Sequence, residues 1–314
     1  MSEPSYQIGI IGAGALGATY GSLLYQYDPG AVCFLAGGGR YDQLSRNGVN
    51  VNGRQYQINV VQPHVAAAAD LVIVAVKHHQ LDQAISEMAS SIGTETTILS
   101  VMNGIESEER IGATYGMDKV LYGLALGIDA VRVDGAVAYS NLGRVLFGEA
   151  NNRVLSERVR RIQALFDAAG IPSEVPVDML RSLWFKFMVN VGVNQVSAVR
   201  GATYGTLRRS AEAKKLMDAA MLEVVRIAQA RGIGLSERDL ETWYGVLATL
   251  GEDGKTSMLQ DVEAGRKTEL EMLAGTVIAL GQQHDIAVPV NRQLFVALKQ
   301  LEAAAGGRSV RRRA

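Results

Sequence analysis

The chain has 314 residues, 48% of them hydrophobic and 20% charged, which suits a soluble globular protein of two domains better than a single core. Its net charge of −1 creates no global field that would gather nucleic acid or an acidic membrane surface. The single cysteine, Cys33, rules out an intrachain disulfide, and no apolar run approaches the ~20 residues of a membrane span.

The start, MSEPSYQIG, carries no basic segment and no signal-type apolar stretch, so a cytoplasmic location is expected. YQIGIIGAGALGATYGSLLYQ then predicts a strand, a glycine turn and a helix. Ile8, Ile10 and Ile11 form the apolar strand, and Gly12, Gly14 and Gly17 fit G-x-G-x-x-G. The first glycine permits the tight turn. The second lets the backbone approach a pyrophosphate, and the third lets the helix pack on the strand. Free N–H groups at the helix start favour phosphate. The stretch Gly12, Ala13, Gly14, Ala15, Leu16 and Gly17 is therefore the candidate dinucleotide-binding turn, with a packing-only glycine turn as the alternative.

The next strand, AVCFLAG, holds Cys33 as a buried structural thiol and should end near an adenosine ribose. A carboxylate there would bond the 2′-hydroxyl of NAD; an arginine would suit the 2′-phosphate of NADP. The sequence offers AGGGRYDQ, in which Arg40 is the nearest cation, so NADP is favoured. Asp42 is a rival that could turn back to a ribose, and a solvated loop arginine is the bland reading of Arg40.

A hairpin-like stretch over 49–61 precedes ADLVIVAVKHHQ, a continuous apolar strand suited to a parallel sheet covered on both faces. TTILSVMNGIESEE repeats the plan: strand, Asn103-Gly104, helix. Lys77 and Asn103 both stand at strand C-terminal ends, the ligand edge of an open α/β sheet, and are candidate cofactor or substrate contacts. His78 and His79 have no acidic or metal-ligand partner at a recognisable spacing and read as loop or helix-start residues, as do His64 and His284. Residues 117–148 read as antiparallel strands that finish the sheet.

From Leu155 the period changes to that of helices. LSERVRRIQALFDAAGI is amphipathic and ends at Gly170, with Pro172 and Pro176 marking a boundary. Helices are expected over 177–199, 211–231, 236–250, 258–265, 268–284 and 290–304. The fold class is thus an α/β Rossmann-type dinucleotide-binding domain over 1–172, followed by an all-α domain over 173–305. A basic tail over 306–314 holds Arg308, Arg311, Arg312 and Arg313. Substrate is expected in the cleft of such a two-domain plan.

Polar residues set among apolar ones should mark that cleft. In KFMVNVGVN, Lys186, Asn190 and Asn194 fall four apart, on one helix face. TSMLQDVEAGRKTELE places Ser257 at a helix start, Asp261 four residues on and Glu269 beyond Gly265. Ser257 as a mere N-cap, and Asp261 with Arg266 as a structural ion pair, are open alternatives.

With these motifs in order, GAGALG, VAVKHHQ, MNGIESEE, WFKFMVNVGVN and SMLQDVEAGRKTELE, the chain resembles the ketopantoate reductase (2-dehydropantoate 2-reductase) family over nearly its whole length. The resemblance implies NADPH-dependent reduction of 2-dehydropantoate to (R)-pantoate in pantothenate and coenzyme A biosynthesis. It implies that Lys186 is the catalytic lysine and general acid and Glu269 the acidic active-site residue. Asn103, Asn190, Asn194 and Ser257 match substrate-binding positions, and Lys77 and Asn103 stand at the cofactor. The residue types suit hydride transfer to a ketone. A cation stabilises the developing alkoxide and, with its pKa lowered from about 10.4 by partial burial, returns a proton. The neutral asparagines do not oppose that lowering. The family commonly carries an arginine at the end of the second strand, where this chain has Gly37, so NAD stays open as cofactor. Other readings are a relative acting on a different 2-oxo acid or an imine, or a non-catalytic NADP(H)-binding sensor. A small-molecule 2-oxo acid is the expected partner, with no nucleic acid, membrane or metal, and a homodimer is left open.

Overall fold

A computed structural model describes the backbone of residues 6–311 and the side chains as far as 304. The chain divides into two compact units after Leu180.

The first unit is built on an eight-stranded sheet. Its strands are β1 (Ile8–Ile11), β2 (Val32–Leu35), β5 (Asn59–Val61), β6 (Leu71–Val74), β7 (Thr97–Ser100), β8 (Val120–Leu126), β11 (Arg144–Gly148) and β12 (Ser173–Glu174), in the order β12-β11-β8-β7-β6-β1-β2-β5. All neighbours pair in parallel except β8 and β11. Helices α1 (Ala15–Tyr27), α2 (Gly38–Asn47), α3 (Leu81–Glu87), α4 (Ser107–Tyr115) and α5 (Glu157–Ala168) supply the crossovers and cover the faces.

The continuous apolar strands follow from that double cover. Side chains alternate along β6: Leu71 and Ile73 join one core, Val72 and Val74 the other, and all four are buried. Burying each such side chain contributes about 1.5–3 kcal/mol. Cys33 is half-buried in β2, and burial pushes its thiol up to about 11, which makes it an unreactive packing residue.

Residues 117–148 differ from expectation. β8 and β11 do finish the main sheet, but β9 (Val131–Val133) and β10 (Ala136–Ala138) leave it. They join β3 (Val49–Val51) and β4 (Arg54–Tyr56) in a second sheet ordered β4-β3-β10-β9. The Asp134-Gly135 turn pairs β9 with β10: both residues have positive φ, 50° and 87°, as a tight hairpin requires. Its inward face, Val137 with Val51 and Tyr56, packs in the same core as α1. The division after Leu180 also falls later than the expected 172/173, because Ser173 and Glu174 pair with β11 beyond Pro172.

The second unit is helical: α6 (Met179–Val189), α7 (Gln195–Arg200), α8 (Tyr204–Arg209), α9 (Ala211–Ala230), α10 (Arg238–Thr249), α11 (Ser257–Glu263), α12 (Thr276–Gln283) and α13 (Pro289–Arg311). The short α8, capped by Thr203, has no periodic signal long enough to predict. The expected helix over 177–199 is interrupted by a π-helical turn, Asn190–Asn194, and the one over 268–284 contains a second, Glu271–Gly275. α13 continues past Gly306-Gly307 to Arg311, so the tail expected over 306–314 begins as helix, and 312–314 lie outside the described residues. Buried Glu223 joins these helices. Its carboxylate accepts from the N–H groups of Val290 and Asn291 at the start of α13 and from the Asn291 side chain, at 2.7–3.0 Å. That places a negative charge at a helix N-terminus. Among the described residues no helix is long and apolar enough to cross a membrane.

Candidate functional site

In the first unit the sequence-predicted residues gather at the C-terminal ends of β1, β6 and β7. Gly12 has φ +101°, and a Cβ on it would stand 2.5 Å from the Ala75 carbonyl oxygen. A Cβ on Gly17 would stand 1.9 Å from the Gly12 carbonyl oxygen. These two glycines are therefore required by the protein's own backbone. Gly14 is not, since the nearest atom to a Cβ there is 3.9 Å away. Gly14 caps α1 with no side-chain hydrogen bond, leaving the N–H groups of the Ala15-Leu16-Gly17 turn without a side-chain cap. A glycine that the protein does not need, at the N-terminus of a helix, fits a dinucleotide pyrophosphate.

Arg40 lies in the first turn of α2, not in a solvated loop, and its guanidinium donates to the Ala13 carbonyl at 2.6 Å. Asp42 is exposed farther along the same helix. Lys77 is exposed after β6, and Asn103 is half-buried after β7.

The two loops are tied together. His78 Nε2 lies 3.3 Å from Glu106 Oε2. Sequence spacing gives His78 no acid; the pairing of β6 with β7 brings Glu106 across from 28 residues away. The Asn103 loop is also closed from beneath. The Ser107 hydroxyl bonds Glu108 Oε2 at 2.8 Å and the Ser100 hydroxyl at 2.8 Å. Glu108 Oε1 accepts from the Gly123 N–H on β8 at 3.3 Å. Glu108 is 1% exposed, and burial, against these hydrogen bonds, pushes its carboxyl up to about 7. The signal SEE names two acids in one helical turn, and only the packing of α4 on β8 decides which is buried.

This carries a pH-dependent stability. The ordinary carboxyl value is 4.5, so between pH 4.5 and 7 the folded state holds more protons than the unfolded state. Stability therefore falls as pH rises through that window, by about 3 kcal/mol in all. Glu108→Gln lacks the titration. Its melting temperature relative to the parent should rise between pH 5 and pH 8; a pH-independent difference would contradict a neutral buried Glu108.

In the second unit, Asn194, Ser257, Asp261 and Glu269 line one narrow pocket with Met258 and Leu273. Lys186 and Asn190 lie on the preceding turns of the same helix, both half-buried. The shared face comes about differently from the expected regular helix. At ~100° per residue, Asn190 would sit ~40° and Asn194 ~80° away from Lys186. The π turn, bonded i to i+5, advances less per residue and rotates Asn194 back. Such turns cost backbone pairing. Here the buried Gln195 side chain donates to the Val191 carbonyl at 2.7 Å, and Asn291 Oδ1 lies 3.0 Å from the same amide nitrogen. Gly192 lets the widened turn approach α9, where a Cβ would stand 2.5 Å from Met221 Cγ.

Ser257 is not the N-cap of α11. Thr256 is: its hydroxyl accepts from Leu259 N at 3.2 Å, which leaves the Ser257 hydroxyl outside the capping bond. The ion pair of Asp261 with Arg266 does form, at 2.8 Å, with Asp261 buried beside the pocket. The second π turn begins two residues after Glu269 and carries Leu273 into the pocket wall, so each π turn supplies a lining residue.

Two family models match, Ketopantoate reductase PanE/ApbA over residues 8–152 and its C-terminal counterpart over 178–302. The chain is 30% identical to 2-dehydropantoate 2-reductase of Halobacterium salinarum, covering 90% of this chain and 94% of that one. The solved 2-dehydropantoate 2-reductase of Geobacter metallireducens superposes with a TM-score of 0.81 at 28% identity, covering 94% of this chain and 99% of that one. D-mandelate dehydrogenase, solved with NADH and anilino(oxo)acetate, shares the fold, with a TM-score of 0.85 at 21% identity over 96% of this chain and 99% of that one.

Proposed function

The chain belongs to the ketopantoate reductase family of oxidoreductases, and from that premise we propose that it reduces 2-dehydropantoate to (R)-pantoate with NADPH, in pantothenate and coenzyme A biosynthesis. The observation that carries the reading is the convergence of Asn194, Ser257 and Glu269 on one pocket, with Lys186 and Asn190 on the helical turns that precede Asn194. A dinucleotide sensor would need the glycine turn alone.

When bound, the reduced nicotinamide supplies the hydride to the keto carbon. The ammonium of Lys186 stabilises the alkoxide that develops on the keto oxygen and delivers the proton that makes it a hydroxyl. Asn190 and Asn194 hold substrate oxygens without adding charge, and the Ser257 hydroxyl, spared from capping, donates to the carboxylate. Glu269 accepts from a substrate hydroxyl or orients Lys186. Gly12, Ala13, Gly14, Ala15, Leu16 and Gly17 would hold the pyrophosphate, and Lys77 and Asn103 would contact the cofactor.

The test is steady-state oxidation of NADPH and NADH across a panel of 2-oxo acids. Expected is a kcat/KM for 2-dehydropantoate at least about tenfold above that for a bulky aromatic 2-oxo acid, a margin of about 1.4 kcal/mol. A maximum on another 2-oxo acid would reassign the substrate, and coenzyme binding without any turnover would reject the enzyme reading.

A further inference from the structure

Two guanidinium groups converge on one backbone oxygen in the glycine turn. Arg40, from α2, donates to the Ala13 carbonyl at 2.6 Å, and Arg132, from β9, donates to the same oxygen at 3.0 Å. Arg40 also donates to Gln43. Among the described residues neither arginine is paired with a carboxylate. Burial, and then the charge of Arg132, lower the pKa of Arg40. Like charges held together on one carbonyl repel, and a dianion between them would relieve that repulsion with charge-assisted hydrogen bonds.

Arg132 has an inverted setting. Its strand neighbours Val131 and Val133 are 39% and 61% exposed. Alternation along the strand then turns Arg132 to the opposite face, toward the glycine turn. The sequence VRV thus places its charge inward and its apolar groups outward, the reverse of a strand made for packing alone. The acceptor alternative lies close by. Glu87, bonded to Gln83 at 2.7 Å, sits 3.6 Å from where a Cβ on Gly37 would stand. No acid occurs among Ala36–Arg40 themselves.

We propose that Arg132 and Arg40 form a two-arginine clamp for the 2′-phosphate of NADP(H), and that Arg132 is a coenzyme-specificity residue of this chain. The proposal rests on the reading of the first unit as a nicotinamide dinucleotide site. The clamp takes the place of the strand-end arginine that Gly37 lacks.

The test measures binding, not turnover, by calorimetry with adenosine 2′,5′-bisphosphate and with AMP. Arg132→Ala should raise the Kd for the bisphosphate by about tenfold or more and that for AMP by less than about twofold. Arg40→Ala should do the same, and Arg132→Lys should recover part of the loss. Equal weakening of both ligands, or none, would overturn the clamp. So would a parent protein that binds AMP as tightly as the bisphosphate, which would instead favour Glu87 as a ribose acceptor. Selective bisphosphate binding in a protein that turns over no 2-oxo acid would uphold the clamp while rejecting the reductase reading.

Discussion

Lys186→Ala is expected to lower kcat for 2-dehydropantoate by about 10²–10⁴-fold, the range of a lost general acid, with little change in coenzyme affinity. Lys186 stands in the last turn of α6, among buried Trp184, Phe187 and Met188, and is itself half-buried. A cation in such a setting is screened less by water than a surface lysine, so its field on a developing alkoxide is stronger. Lys186→Arg separates the two roles. It keeps the positive charge but does not give up a proton near neutral pH. If proton delivery dominates, the arginine variant stays near the alanine variant; if charge stabilisation dominates, it recovers a large part of kcat. Steady-state kinetics with unchanged melting temperature checks both. An alanine variant that keeps most of its turnover would remove Lys186 from the chemistry.

Gly17→Ala and Gly14→Ala should fail in opposite ways. At Gly17 the added methyl meets a backbone oxygen at 1.9 Å, which no side-chain rotation can relieve. Either α1 shifts or the turn opens. Overpacking of about 1–3 kcal/mol corresponds to a melting temperature roughly 2–10 °C lower. Coenzyme affinity should fall with it, since the N–H groups of the turn lose their alignment. At Gly14 the protein leaves the methyl room, 3.9 Å from its nearest atom. That variant should melt within about 2 °C of the parent yet bind NADPH at least about tenfold more weakly, because the methyl occupies the approach of the pyrophosphate. Thermal melts and fluorescence titration of NADPH read both. A Gly14 variant with parental affinity would show that the phosphates do not pass over this residue.

The parts of this protein that can be read without coordinates are those whose cause is local. Ile8, Ile10 and Ile11 next to Gly12 predict β1 and its turn because a strand needs apolar residues and the turn needs a positive φ. Val72 and Val74, with Leu71 and Ile73, predict a strand covered on both faces because none of the four could face water. The helical half follows from a period of 3.6, and the polar positions Lys186, Asn190, Asn194, Ser257 and Glu269 stand out by their composition and by family resemblance. Pairing across space decided the rest. Whether β9 and β10 belong to the main sheet depends on what α1 leaves uncovered, which no short stretch encodes. The π turn at Asn190–Asn194 looks like ordinary helix in sequence. Its Val191 carbonyl is bonded by the Gln195 side chain, which is tied through Asn291 to Glu223 in a buried network drawn from distant parts of the chain. His78 acquires Glu106, and Ala13 acquires both Arg40 and Arg132, only once parallel strands and a second sheet bring distant segments together. A side chain's residue type is local, but its partner is set by which strands and helices pack side by side.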